Sequence, residues 1–226
     1  MEKGKLYGVG VGPGDPELLT RKAERVLREA DVVAVPDKGA GEKTALAIVK
    51  ELVEGKEQLN CSTPMVRDRE ILEQSYEQAA ADICALLDQG KRVAFITLGD
   101  PSVYSTYIYI HKKVLSRGYE AEMIPGVPSF CAVAARLGTA LCEGDQRLLI
   151  VPASHSASDC LEISANKVFM KAGRAIGDLQ DLLEGRGLLE KASMVANCGM
   201  EGEAVYPRFA DMKDGTGYFS VVLVKE

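Results

Sequence analysis

Short apolar runs alternate with amphipathic segments through the first half of the chain. Strand-like runs, typical of the buried strands of a parallel sheet, occupy residues 6–11, 32–35, 93–96 and 121–124. Apolar residues at helical spacing fill the segments between them, one beginning near Pro16 and the others at residues 43–52, 68–88 and 103–115. The repeated order of strand and helix predicts a largely parallel sheet with helices on both faces.

Proline, glycine and aspartate mark several of the predicted element ends. Asp15 before Pro16 suits a helix N-cap followed by proline at the first helical position. Pro36 is expected to end the second strand, and Gly90 the helix of residues 68–88.

The pattern changes after the Pro-Gly-Val-Pro segment at residues 125–128. A helix is predicted at residues 129–137, and strand patterns follow at 148–151, 167–170, 194–196 and 218–224. No helical pattern precedes the last strand, which predicts some antiparallel pairing in this half. A Pro-Gly-x-Pro segment between apolar runs is a plausible linker. The sequence therefore predicts an N-terminal domain of residues 1–124 and a C-terminal domain of residues 125–226.

Composition narrows the possible partners of this 226-residue chain. The formal net charge of −6 and the sequence pI near 5.2 disfavour nucleic acid as a partner. No signal-peptide core and no apolar run of about 20 residues is present, so we expect a cytoplasmic protein without a membrane segment. The six cysteines form no CxxC pair and have no histidine at ligand spacing, which predicts no metal site. The expected cytoplasmic location predicts reduced thiols.

Histidine chemistry is not indicated either. His111 lies within a predicted helix and His155 in a serine-rich loop, and neither neighbours an evident nucleophile. We interpret His111 as a structural or surface residue.

A glycine-rich loop, Gly-Val-Gly-Val-Gly-Pro-Gly-Asp at residues 8–15, follows the first strand. Phosphate-binding loops occupy this position, but neither register fits GxGxxG, since the sixth position is Pro13 or Asp15. Asp15 would also repel a phosphate at the helix N-terminus. The loop predicts close backbone approach to a ligand other than a pyrophosphate, the alternative being a tight turn without a ligand.

Two further segments follow predicted parallel strands, where open α/β sheets bind ligands. In Gly99-Asp100-Pro101, the Asp100 carboxylate is placed to accept a hydrogen bond from a cationic or amino group, the alternative being an Asp-Pro helix cap. In the segment of residues 125–130, Ser129 has the alternative interpretation of a plain N-cap.

These three segments, in this order, resemble the tetrapyrrole methylase family of S-adenosylmethionine (SAM)-dependent methyltransferases. Residues 5–20, 97–106 and 125–130 are most similar to its precorrin-2 and cobalt-precorrin-2 C-20 methyltransferases. The resemblance implies a two-domain α/β fold with a mostly parallel N-terminal sheet and a mixed C-terminal sheet. It also implies an active-site cleft between the domains, a homodimer, and SAM converted to S-adenosylhomocysteine.

The same resemblance assigns site residues to this chain. The SAM contacts it implies are Gly99, Asp100, Val103, Tyr104, Ser129, Phe130, Met170, Lys171 and Asn197. The tetrapyrrole would lie against the glycine-rich loop at Gly10, Gly12, Pro13, Gly14 and Asp15.

The implied reaction is in-line methyl transfer to the C-20 meso carbon, followed by loss of the C-20 proton. Candidate catalytic residues for accepting that proton are Asp100 and Asp15, while Tyr104 could orient the ring; the sequence does not choose among them. The many carboxylates of a tetrapyrrole call for basic side chains, and the candidates are Arg21, Lys38 and Arg67.

Several alternatives stay open at this point. They are another corrin intermediate, an RNA or protein substrate, and a non-enzymatic nucleotide-binding module. The acidic composition argues against RNA, and the failed glycine registers argue against the nucleotide-binding module. The sequence does not decide whether the substrate carries cobalt.

Overall fold

A computed structural model describes residues 3–37, 43–66, 68–153, 157–212 and 218–226. The chain divides into two compact units, Met1–Pro128 and Ser129–Glu226. The predicted domain boundary precedes Pro125, and this division follows Pro128.

The first unit is built on a five-stranded parallel sheet. Its strands are β1 (Lys5–Gly10), β2 (Val32–Asp37), β3 (Glu57–Ser62), β4 (Val93–Thr97) and β5 (Glu120–Ile124). Its helices are α1 (Arg21–Glu29), α2 (Thr44–Val49), α3 (Arg69–Asp88) and α4 (Tyr107–Ser116). The strand order is β3-β2-β4-β1-β5, and every pairing is parallel. The predicted parallel sheet is confirmed.

Alternate residues of the central strand β4 enter two separate apolar cores. Val93 and Phe95 pack in a cluster with α3 and α4, whereas Ala94 and Ile96 pack in a cluster with α1 and α2. Successive strand side chains point to opposite faces, so β4, which is buried at every position, is covered by helices on both sides. This packing on both faces fixes the carboxyl ends of the strands, where the loops of the candidate site begin.

The second unit contains a five-stranded mixed sheet. Its helices are α5 (Ser129–Leu137), α6 (Ala157–Cys160) and α7 (Ile176–Gly185). Its strands are β6 (Leu148–Pro152), β7 (Asn166–Met170), β8 (Ala192–Ala196), β9 (Ala204–Tyr206) and β10 (Ser220–Val224). The order is β6-β7-β10-β8-β9, and β10 is antiparallel to both β7 and β8. The expectation of antiparallel pairing in this half is confirmed.

The first helix begins later than the expected start near Pro16. Asp15 caps only a single 3-10 turn, Pro16–Leu18, and Leu19 is extended with φ −65° and ψ 134°. The Thr20 hydroxyl then accepts a hydrogen bond from Ala23 N at 3.1 Å and caps α1. Two N-caps five residues apart, Asp15 and Thr20, therefore divide what the apolar pattern presents as one helix.

Pro36 lies inside β2 instead of ending it. The carbonyl of Asp37 accepts from Thr63 N at 2.7 Å, so Asp37 directs its backbone groups toward β3. Adjacent residues of a strand direct their backbone groups to opposite sides, so the Pro36 nitrogen faces β4. Because β4 pairs with β2 only as far as Ala34, the missing N–H of Pro36 leaves no ladder partner unpaired.

The helix predicted at residues 103–115 begins at Tyr107, because Tyr104 has φ 48° and breaks a helical path. Strands β3 and β9 and helices α6 and α7 were not predicted. The β3 sequence, Glu-Gln-Leu-Asn-Cys-Ser, alternates weakly because it is an edge strand.

His111 is partly buried and its Nδ1 lies 2.9 Å from the Tyr107 hydroxyl, consistent with a structural residue. His155 lies outside the described residues.

Within the described ranges, no helix combines the length and apolar character needed to cross a membrane. Each of the six cysteines is a free thiol.

Candidate functional site

Three loops of the first unit meet at one edge of its sheet. Strands β4, β1 and β5 are neighbours and parallel, so their carboxyl ends lie side by side. Residues 11–15 follow β1, residues 98–105 follow β4, and residues 125–128 follow β5. These loops contain the three segments singled out in the sequence. The fold therefore brings these segments together.

Backbone hydrogen bonds join the first two loops beyond the end of the sheet. Val11 N donates to Thr97 O at 3.0 Å. Gly12 and Gly99 then exchange two bonds, from Gly12 N to Gly99 O at 3.3 Å and from Gly99 N to Gly12 O at 2.7 Å. The glycine-rich loop and the Gly-Asp-Pro loop thus form a small antiparallel bridge.

Two glycines, Gly126 and Gly10, let the loops approach at backbone distance. A Cβ on Gly126 would lie 2.1 Å from Gly99 O and 2.8 Å from Gly10 C. A Cβ on Gly10 would lie 2.6 Å from Gly99 O and 2.7 Å from Gly126 N. All these neighbours are main-chain atoms, so no side-chain rotation makes room. Gly10 belongs to the loop predicted to allow close approach of a ligand; together with Gly126 it allows close approach of one loop to another.

The Asp100 carboxylate binds the second loop to the third. Its Oδ2 accepts from Gly126 N at 2.9 Å, and its Oδ1 accepts from Ser102 N at 2.8 Å and from the Ser102 hydroxyl. Sequence reasoning did not identify this contact, because nothing in the chain indicates that residues 26 positions apart bond to each other.

Thr20 connects the third loop to the first helix. Its hydroxyl donates to Pro125 O at 3.2 Å while accepting from Ala23 N. Asp15 Oδ1 accepts from Glu17 N at 2.8 Å. Pro13 and Gly14 are buried, whereas Asp15 is partly exposed, so Asp15 is the predicted substrate-loop residue that reaches solvent.

Tyr104 immediately precedes Ser105, which belongs to a small hydroxyl network in the second loop. The side chain of Tyr104 is 44% exposed on a backbone with φ 48°. The Thr97 and Ser105 hydroxyls lie 2.8 Å apart, and Ser105 Oγ accepts from Tyr107 N at 3.2 Å. Tyr107 is fully buried, and burial raises the pKa of its phenol. The partly buried Val103 occupies the same turn, and its N donates to Asp100 O at 3.2 Å.

In the second unit, the carboxyl ends of β7 and β8 lie at one sheet edge, on either side of the start of β10. Met170 is the last residue of β7 and is followed by Lys171, and Asn197 follows β8. Asn197 N donates to Phe219 O at 3.0 Å. Burial raises the pKa of the neighbouring Tyr218 phenol. The predicted residues Met170, Lys171 and Asn197 are thus brought to a common edge.

Ser129 and Phe130 are the first two residues of α5 in the same unit. Phe130 is buried and Ser129 is partly buried.

Three non-glycine residues have positive φ in the part of the chain that the structure describes: Tyr104 at 48°, Lys171 at 56° and Asn197 at 50°. Such conformations cost about 1–3 kcal/mol each and concentrate at functional sites. The resemblance assigns all three residues to SAM without reference to backbone angles. The backbone strain at these three positions is therefore an observation independent of the resemblance.

Of the basic side chains predicted to neutralise substrate carboxylates, Arg21 is described. It is exposed at the first position of α1, next to Thr20 and so close to the third loop. Lys38 and Arg67 lie outside the described residues. No group of three or more His, Cys, Asp or Glu side chains that could hold a metal occurs within the described ranges.

Comparison with known proteins identifies the class of this chain. A profile of the family described as Tetrapyrrole (Corrin/Porphyrin) Methylases matches residues 5–212. The chain therefore belongs to the tetrapyrrole methylases, and the resemblance seen in its three segments is confirmed.

Individual relatives extend the similarity over the whole chain. The chain is 34% identical over 227 residues to the probable cobalt-precorrin-2 C(20)-methyltransferase of Methanocaldococcus jannaschii, covering 98% of this chain and 96% of that protein. It is 31% identical over 233 residues to the precorrin-2 C(20)-methyltransferase of Sinorhizobium sp, covering 98% and 95%. The X-ray structure of a cobalt precorrin-4 methyltransferase aligns with a TM-score of 0.76 at 21% identity, over 97% of this chain and 94% of that one, and shows the same fold.

Proposed function

We propose that this chain is a SAM-dependent C-methyltransferase that methylates C-20 of precorrin-2 or cobalt-precorrin-2 in cobalamin biosynthesis. The observation that carries the proposal is its nearly full-length similarity, at 31% and 34% identity, to two proteins named for this reaction. The loop arrangement supports it, since the matched segments form one connected edge in the first unit.

The residues of the loops are compatible with a bound methyl donor. Gly99 has φ 71°, and a Cβ placed there would meet only Val127 O, at 3.9 Å. The space above this glycine is therefore open, unlike the space at Gly10 and Gly126. A ligand can approach the main chain there without meeting a side chain.

The methyl donor supplies an activated methyl group on a sulfonium, so little covalent chemistry is required of the protein. The loops hold the reacting groups in line, and their mutual hydrogen bonds make that geometry rigid. Apolar surroundings that exclude water favour loss of the sulfonium charge as the methyl moves.

The proton leaving C-20 needs an acceptor. Both oxygens of Asp100 already accept hydrogen bonds from Gly126 and Ser102. We therefore assign Asp100 to holding the loops together. Asp15 remains the candidate proton acceptor within the proposal, and Tyr104 the residue that orients the ring.

The proposal is tested with labelled SAM, offering metal-free precorrin-2 and cobalt-precorrin-2 side by side. Label in either product supports methyl transfer to this substrate class, and the preferred form identifies whether cobalt is already present. Absence of label from both, in a protein that binds SAM, would contradict the proposed substrate. The homodimer that the resemblance implies is tested by light scattering, which should give twice the monomer mass.

Charge reversal at Arg21 tests how the substrate carboxylates are bound. We expect Arg21→Glu to raise the KM for the tetrapyrrole about tenfold, which corresponds to about 1.4 kcal/mol, and to leave SAM affinity unchanged. Steady-state kinetics in both substrates measures the two effects. Arg25→Glu is the matched control, one turn along α1, where Arg25 pairs with Glu29. An unchanged tetrapyrrole KM after charge reversal at Arg21, Lys38 and Arg67 together would contradict the assignment.

A further inference from the structure

We propose that Glu203 is a positioning residue for the methyl donor: its carboxylate ties the loop after β8 to helix α5 and thereby holds Asn197 in its left-handed conformation. The inference rests on the proposed function and concerns only the second unit. No motif in the sequence pointed to either Glu203 or its partner Arg136.

The loop of residues 197–203 turns sharply and contains strained backbone. Asn197 has φ 50°, and two glycines of the loop, Gly199 and Gly202, have φ 73° and 74°. Asn197 Nδ2 donates to Gly202 O at 3.2 Å, and Met200 N donates to Asn197 O at 2.9 Å. The loop thus folds back on Asn197, but two glycines in it leave the main chain free to take other paths.

The Glu203 carboxylate fixes this path from two sides. Its Oε2 accepts from Gly199 N at 2.8 Å, and its Oε1 accepts from Arg136 Nε at 2.6 Å. The hydrogen bond from Gly199, and next the Arg136 ion pair, lower the pKa of Glu203. The Glu203 side chain is 21% exposed and that of Arg136 is 56% exposed, so solvent screens the Arg136 end of the pair more than the Glu203 end.

Arg136 brings a second segment into the arrangement. It lies in the last turn of α5, the helix that begins with Ser129 and Phe130. Glu203 therefore links the helix carrying two predicted SAM contacts to the loop carrying a third, Asn197. A residue at the junction of two binding segments controls their relative placement without touching the ligand.

The test is isothermal titration of the full chain with S-adenosylhomocysteine, the product form of the donor. We expect Glu203→Gln to weaken binding about tenfold and to raise the KM for SAM, with the tetrapyrrole KM unchanged. Arg136→Gln removes only the tie to α5, and we expect a smaller loss in the same direction. The double variant should be less than additive, because the two residues act as one unit.

Glu190→Gln is the matched control. Glu190 pairs with Arg208 in the same unit, but both side chains are more than half exposed, so we expect affinity within twofold of wild type. Equal affinity for the Glu203, Arg136 and Glu190 variants, with wild type binding normally, would overturn the inference alone. Failure of the wild-type protein to bind the product or to transfer methyl would overturn the proposed function, and the inference with it.

Discussion

Replacing Gly126 by alanine is expected to lower the free energy of unfolding by about 3 kcal/mol, the upper part of the usual range for overpacking. We expect kcat/KM to fall by about 100-fold or more, because small displacements of reacting groups have effects of that size. The added methyl group would lie 2.1 Å from Gly99 O and within 2.9 Å of both C and Cα of Gly10. Relief requires the three loops to separate, since every neighbour is backbone. Urea denaturation and steady-state kinetics measure the two effects.

Gly177→Ala is the control for this substitution. Gly177 lies in helix α7, and a Cβ there has no neighbour within 4 Å. Alanine should stabilise the helix by about 0.5–1 kcal/mol and leave activity unchanged. Normal stability and activity in the Gly126 variant would show that the loops do not pack as described.

Asp100→Ala is expected to reduce kcat/KM about 100-fold by releasing the third loop. The part-buried Gly126 N–H loses its acceptor, and an unsatisfied buried donor costs about 1–3 kcal/mol, whereas the donors of the exposed Ser102 can bond water. The unfolding free energy should fall within that range, as measured by urea denaturation. Loss of activity should exceed what this modest destabilisation explains, because the loops still fold but are no longer held in register.

Asp100→Asn separates a loop-holding role from proton transfer. The amide retains one acceptor oxygen, so we expect partial activity, with the pH dependence of kcat keeping its wild-type shape. If Asp100 were the proton acceptor, the asparagine variant would be as inactive as the alanine variant and the acidic limb of the profile would disappear. That result would return Asp100 to the catalytic role considered from the sequence.

The alternation of apolar strands with amphipathic helices was sufficient to predict the parallel sheet, because the inner strands β2 and β4 are buried on both faces and read as continuous apolar runs. Edge strand β3 escaped detection because its polar residues face solvent. The helix starts at Pro16 and Val103 were wrong for a different reason. The Thr20 N-cap and the positive φ of Tyr104 delay the start of each helix, although the apolar periodicity of the sequence continues across both residues.

The sequence was sufficient to locate the loops of the candidate site but not to predict the contacts that join them. Glycine and proline placed at strand ends identify the loops, since parallel strands share one carboxyl edge. The bonds that join the loops, from Gly126 to Asp100 and from Gly199 and Arg136 to Glu203, link residues of ordinary type through tertiary proximity. No local pattern encodes such pairs, and both the strand-end position of Asp100 and the resemblance suggested a direct ligand or catalytic role for it.

The most direct test of the central claim is the position of the transferred carbon. Incubation with SAM carrying a ¹³C-methyl group and with precorrin-2 or cobalt-precorrin-2, followed by NMR of the product, locates the label. We predict a single labelled methyl group on C-20 of the macrocycle. Label on any other carbon, or on nitrogen or a carboxylate, would contradict the account.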